Sequence, residues 1–417
     1  MSTSSRNNVL ITPDIIAKES LRLLKNNLVA ARLVNRGYTK EFAKVGDQIS
    51  VKLPFRTRTA SGRVLVKQPL VDKTTTIKID KQEHFGMEID VRDKTLSLEQ
   101  FSDRYLKSGI VQLANVVDKS IIDCIRDSAF YNSGTPGTAM GINDVIYAEA
   151  YMDDVAVPND GMRRLLLNTL DSANLQKDIT GLYNADLVKT AMVKGYKGEI
   201  SNFSTFKSQN LTAHTVGAYA GTPLVNGANQ TGDTLITDGW TASVNGLLKK
   251  GDTFTIDGVF EINPQNYTST GRLQAFTVTA DVNSDASGNA TIHITPSIND
   301  GTLTTVDGEG NNISTAAYKN VSKAPSDNAS ITVIGNASTA YRTNLAFHRD
   351  AVALVVPQIE IPESATIKAR ATDPDSGLSV LITGAYDVNE HSEITRVDVI
   401  WGVKSVYPEL IHKIYSN

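Results

Sequence analysis

Six histidines, one cysteine and one run of acids and amides are the residues of this 417-residue chain best suited to metal or nucleophile chemistry. The histidines are His84, His214, His293, His348, His391 and His412; no two stand at a metal-ligand spacing, and none neighbours Cys124. Catalytic triads assemble from distant positions, so spacing alone does not dismiss one, but the pattern favours ordinary structural histidines. A single cysteine permits no disulfide within one chain and, set in a helical pattern, reads as a small buried apolar residue. The run from Asp281 to Gly288 places Asp281, Asn283, Asp285 and Ser287 at alternating positions, as an EF-hand calcium loop does. Its sixth position is Ala286 instead of glycine and its twelfth is Ile292 instead of a bidentate glutamate, and strand patterns flank it. It reads as a polar hairpin turn. The stretch Gly134–Gly141 lacks the Gly-Lys-Ser/Thr of a phosphate-binding loop. The Asn-X-Ser/Thr triplets at Asn202, Asn266, Asn289 and Asn336 follow from a composition rich in Asn and Thr. No catalytic, cofactor-binding or metal residue is assigned, and the enzyme class is set aside.

The 41 Lys plus Arg and 45 Asp plus Glu residues leave a net charge of −4, without the basic excess by which duplex binders release counterions. No stretch approaches the ~20 apolar residues of a membrane helix, and the first eight residues carry no apolar core of a secretory signal. At this length two or three domains are expected.

The elements that would position these residues fall in a definite order. Thr12 caps a helix, with Pro13 at its first position and Asp14 in its first turn. Ile16, Leu23, Leu24, Leu28, Ala31 and Val34 form its stripe and Gly37 ends it, making residues 1–44 an N-terminal arm. Over 45–80, Ile49, Val51 and Leu53 alternate with polar residues, as do Ile77 and Ile79, which predicts a long β-hairpin. Between them lie Arg56, Arg58, Arg63 and Lys67, so the tip is basic and poor in core residues. A two-stranded hairpin is marginal alone in water. A neighbouring subunit is the expected support, and those four residues are the predicted intersubunit contacts.

Glu83–Val91 reads as a strand. Leu98, Phe101, Tyr105, Leu113, Val117, Ile121 and Ile125 mark a helix over 98–130, about 45–50 Å long, within a segment spanning 81–157. Residues 158–215 read as a compact α/β part, with a short apolar run at Arg163–Asn168, a helix over Ala185–Val193 and an extended stretch at Phe203–Leu211. From 216 to 344 the composition shifts to Gly, Thr, Asn and Ser, with 6 basic and 11 acidic residues, net −5. Strand-like runs at Thr253–Ile256, Phe276–Ala280, Ala290–Ile294 and Ile331–Ile334 predict a small β-barrel or sandwich inserted into the chain. Residues 345–417 return to the earlier alternation.

Several stretches resemble one family. They are Leu248-Lys-Lys-Gly-Asp-Thr-Phe-Thr-Ile-Asp-Gly-Val-Phe-Glu-Ile-Asn-Pro, Asn344-Leu-Ala-Phe-His-Arg-Asp-Ala-Val-Ala-Leu, Ile382-Thr-Gly-Ala-Tyr-Asp-Val-Asn and Arg396-Val-Asp-Val-Ile-Trp-Gly-Val-Lys. They are similar to major capsid (coat) proteins of tailed bacteriophages, in the short-tailed subgroup that carries an insertion. The resemblance implies an α+β fold of the Hong Kong 97 type: N-arm, extended loop over 45–80, peripheral domain with a spine helix, axial domain, and an inserted small all-β domain. It implies a structural protein of the virion, assembled in the host cytoplasm into hexamers and pentamers of an icosahedral shell. It further implies a scaffolding protein and a portal as partners, packaged DNA nearby without sequence reading, no cofactor and no membrane. The rival reading, a tail tube, fibre or β-rich adhesin, accounts for 216–344 but poorly for the long helix and the basic hairpin.

Overall fold

The structure, a computed structural model, describes residues 13–38, 48–59, 61–63, 65, 74–90, 106–182, 199–306, 312–373, 378–388 and 392–417. The chain forms two compact units, residues 1–50, 76–121 and 353–404 in the first, and 51–75, 122–352 and 405–417 in the second.

Period-two burial builds the sheet of the first unit. Strand Ser392–Ser405 is central, with Ser379–Asp387 antiparallel on one side and Lys81–Asp90 antiparallel on the other. Ile367–Thr372 extends the sheet beyond Ser379–Asp387. Ala369, Ala371, Val380, Ile382, Val397 and Val399 are buried. Trp401 is buried too, and its indole Nε1 donates to Ser120 Oγ at 2.7 Å. Helix Pro13–Asn27 packs against the Ile367–Thr372 strand through a stripe of Ile16, Ala17, Leu23 and Leu24.

The arm helix expected to run unbroken to Gly37 is two helices, Pro13–Asn27 and Ala30–Leu33. Asp118 explains the break. Its carboxylate accepts the Val29 amide at 2.6 Å and the Ala31 amide at 3.2 Å, so a new helix start finds its acceptor on another element. Val29, at the N-cap position, supplies no side-chain cap of its own. Burial pushes the Asp118 carboxyl up from its ordinary value, against the pull of these amides. Thr12, the expected cap, lies outside the described residues. So do Leu98, Phe101 and Tyr105; the described part of the long helix is Lys107–Ser128, with Ile110, Leu113, Val117, Ile121 and Ile125 buried along one face. Gln48–Lys52 and Thr74–Lys78 pair as a two-stranded sheet in which Ile49, Val51 and Ile77 are buried.

In the second unit a mixed sheet runs in the order Tyr131–Ser133, Ile411–Tyr415, Thr343–His348, Arg163–Leu167, Phe203–Lys207, Glu199–Ile200. Ile411–Tyr415 is parallel to Tyr131–Ser133 and antiparallel to Thr343–His348. Every residue of Ile411–Tyr415 and of Thr343–His348 is buried, as strands covered on both faces require. Ile414 and Ala346 join Leu165, Leu167 and the Val145, Ala148 and Met152 side of helix Ile142–Asp154 in one core. Tyr415 joins a second core. The expected helix over Ala185–Val193 lies outside the described residues.

That second core fills a sheet of six antiparallel strands, ordered Ile331–Val333, Thr253–Ile262, Ser269–Val278, Ala290–Ile298, Gly232–Trp240, Gly221–Val225. Its two edges meet: Leu224 bridges Ser330, the Val225 amide donates to Ala329 O at 3.0 Å, and the Asn328 amide to Val225 O at 2.9 Å. The sheet therefore closes into a barrel, the arrangement that removes sticky strand edges. Val225, Leu235, Phe254, Ile256, Phe276, Ile292 and Ile294 are buried in its core.

Candidate assembly surface

Beyond Lys52 the chain runs through 53–59 without a regular element. Arg56 and Arg58, two residues apart, each meet an aromatic ring of the same chain. Arg56 Nη2 donates to Glu409 Oε1 at 2.6 Å, its guanidinium lies 5.9 Å from the Tyr318 ring centroid, and its backbone amide donates to Tyr318 Oη at 3.4 Å. The Arg58 guanidinium stands 4.5 Å from the centroid of the Tyr267 ring. Arg63 is exposed, and Lys67 lies outside the described residues. Phe55 is 49 % exposed and Leu65 is 82 % exposed, apolar surface that a lone chain leaves in water. Two of the four predicted contact residues thus have partners within their own chain. Nothing in the sequence pointed to Tyr267, Tyr318 or Glu409; the two-residue spacing of Arg56 and Arg58 was the available signal.

Helix Ile142–Asp154 carries a second exposed apolar face. Ile146, Tyr147 and Ala150 recur at three-to-four spacing and are all exposed.

Several buried titratable groups of this unit are paired. Tyr151 Oη donates to Glu261 Oε2 at 2.7 Å, and the Arg272 guanidinium lies 3.6 Å over the Tyr151 ring while reaching Asp154 at 2.9 Å. Burial pushes Glu261 up, opposed by Tyr151 and Arg272. His412 is within hydrogen-bond distance of Ser133 Oγ at 2.8 Å, with its ring 4.8 Å from that of Tyr151. Burial holds His412 down at about 3, with the Arg272 charge adding to the effect. Lys413 donates to Gly251 O at 3.0 Å and Thr253 Oγ1 at 3.3 Å, and burial lowers it to about 8.

The other histidines are scattered. His214 meets Asp252 at 2.7 Å and His348 meets Asp160 at 3.0 Å, while His84 and His293 are exposed and His391 lies outside the described residues. In the calcium-like run, Asp285 accepts the Ser287 and Asn289 amides, Asp281 the Lys250 amide, and Asn283 the Gly246 amide. These oxygens hold turns. Among the described residues no group of three His, Cys, Asp or Glu is placed to hold a metal.

A family model described as P22 coat protein, gene protein 5, matches residues 1–413. The chain belongs to this family. As a member of the P22 coat protein family it is a major capsid protein, placed in the virion shell that its copies build. Solved structures similar to it include one from Mycobacterium phage Che8, 14 % identical over 93 % of this chain and 90 % of that one, with a TM-score of 0.46. The capsid of Ralstonia phage GP4 is 9 % identical over 93 % and 88 %, at 0.45. The mature capsid of bacteriophage PhiM1 is 11 % identical over 90 % and 83 %, at 0.41. No curated protein matches the chain.

Proposed function

We propose that the segment 45–80 is the extended loop that one capsid subunit lays across the next, and that residues 216–344 are a barrel domain inserted into the axial part of the subunit. The exposure of Phe55 and Leu65 carries the loop reading, because these two apolar side chains flank Arg56, Arg58 and Arg63 on a segment with little core of its own. Burying such a side chain against a neighbour contributes about 1.5–3 kcal/mol. An exposed ion pair contributes about 0–1 kcal/mol. Adhesion therefore comes from the apolar pair, and the exposed Arg63 sets register and speeds encounter. Repeated at every subunit, such contacts make up the obligate interface class of about 2,000–5,000 Å². A scaffolding protein and a portal are the assembly partners in this reading, DNA lies beside the wall without being read, and no catalytic step is assigned.

The test is the double substitution Phe55→Asp with Leu65→Asp. The expected subunit melts as its parent does but yields no closed shells by electron microscopy. Closed shells at the parental yield would overturn the reading.

A further inference from the structure

We propose that Tyr267, Tyr318 and Glu409 form a cradle for Arg56 and Arg58 that aims the loop, so that the barrel determines which face of the loop a neighbouring subunit meets. The inference rests on the loop reading above and adds the surface of the same chain that orients it.

Three observations carry it. First, the cradle takes alternate residues. Half-buried Arg56 lies on Glu409 and Tyr318, and Arg58 on Tyr267, while Phe55 and Thr57 beside them are exposed and meet no such partner. Second, the contacts are the kinds a guanidinium makes best, a carboxylate hydrogen bond and aromatic faces. Lysine would not reproduce both.

Third, the platform is built, not incidental. Tyr267 has φ +59°, a left-handed conformation that bulky residues rarely take and that persists where the surroundings over-determine it. Here Asn263 Oδ1 accepts the Gln265 and Asn266 amides, Asn263 O accepts the Tyr267 amide at 2.9 Å, and Tyr267 Oη donates to Ala317 O at 3.0 Å. The last bond ties the ring under Arg58 to the residue beside Tyr318, which receives Arg56. Glu409 sits in the short turn Pro408–Leu410, immediately before the wholly buried strand Ile411–Tyr415. The loop root is thus held from two places that only a completed unit supplies.

The experiment uses the full-length chain in three forms: Arg56→Glu, the swap Arg56→Glu with Glu409→Arg, and Tyr267→Asn, which tolerates the left-handed turn and removes the ring. Amide hydrogen exchange over residues 53–59 is read in the unassembled subunit, and shell shape by electron microscopy. Arg56→Glu and Tyr267→Asn are expected to speed exchange over 53–59 by about tenfold, leave exchange in the six barrel strands unchanged, and give open or irregular shells. The swap restores both readouts. Parental exchange over 53–59 in both single variants would overturn the proposal, as would regular closed shells from subunits whose exchange there has risen. The Phe55→Asp and Leu65→Asp result is separate: if those subunits still form shells, contact with a neighbour fails, while the exchange pattern still reports on the cradle.

Discussion

His412 offers a measurable pH dependence. Its imidazole is buried beside Arg272 and is held at about 3, against 6.5 for a solvated histidine. The sign follows from proton counting. Below 6.5 the unfolded chain binds a proton at this site and the folded chain does not, so stability is full above 6.5 and is lost as pH falls toward 3. At about 1.4 kcal/mol per unit, acidification from neutral to about pH 4 removes about 3 kcal/mol through this one residue. Glu261 works in the opposite direction in its own window, because burial raises its carboxyl above 4.5 and folding there favours proton uptake. A single profile would mix the two, so the comparison is between parent and His412→Gln, whose amide can still face Ser133. Urea unfolding followed by fluorescence reads both, in a Trp401→Phe background that leaves Trp240 as the reporter. The expected gap between the two stability profiles narrows by about 3 kcal/mol in favour of the variant between neutral pH and about pH 4. Parallel profiles would mean that His412 is hydrated in the folded chain, and the reasoning from burial would be wrong.

Lys413 predicts an effect of the same sign at high pH. Its ammonium is lowered to about 8 from 10.5, so relative to Lys413→Met the parent should gain about 3 kcal/mol of stability as pH rises through that interval, read by the same unfolding assay. Asp118→Ala should cost about 1–3 kcal/mol in a thermal or urea melt, because it strips the acceptor from the Val29 and Ala31 amides; a neutral result would mean that water replaces the carboxylate.

The local patterns in the sequence were informative where one face of an element is buried and the other wet. Ile49, Val51 and Ile77 alternate and are buried in a strand pair, and the Ile110-to-Ile125 face of the long helix follows its three-to-four spacing. The strand runs of the barrel were visible for the same reason, although its closure, made by the Leu224–Ser330 bridge, depends on two edges far apart in sequence. Patterning failed where both faces are covered. Alternation alone would leave one side of Ile411–Tyr415 wet, yet His412 and Lys413 are buried with the rest because the two sides of the strand meet different cores. The break in the arm helix was hidden too, since Asp118 lies 89 positions from Val29 and acts only through the folded chain. At the assembly surface, the basic loop was legible as charge. Its aromatic cradle was not, because Tyr267 and Tyr318 read as ordinary members of a turn-rich stretch.

The central place of Ile411–Tyr415 between Tyr131–Ser133 and Thr343–His348 has a consequence during synthesis. A ribosome releases Thr343–His348 first and then makes residues 353–404, which belong to the other unit, before the missing middle strand appears. Until then the nascent polypeptide carries an open slot flanked by two strands that cannot touch. An interrupted translation product keeps that slot, and so lacks the finished wall on which the loop root rests.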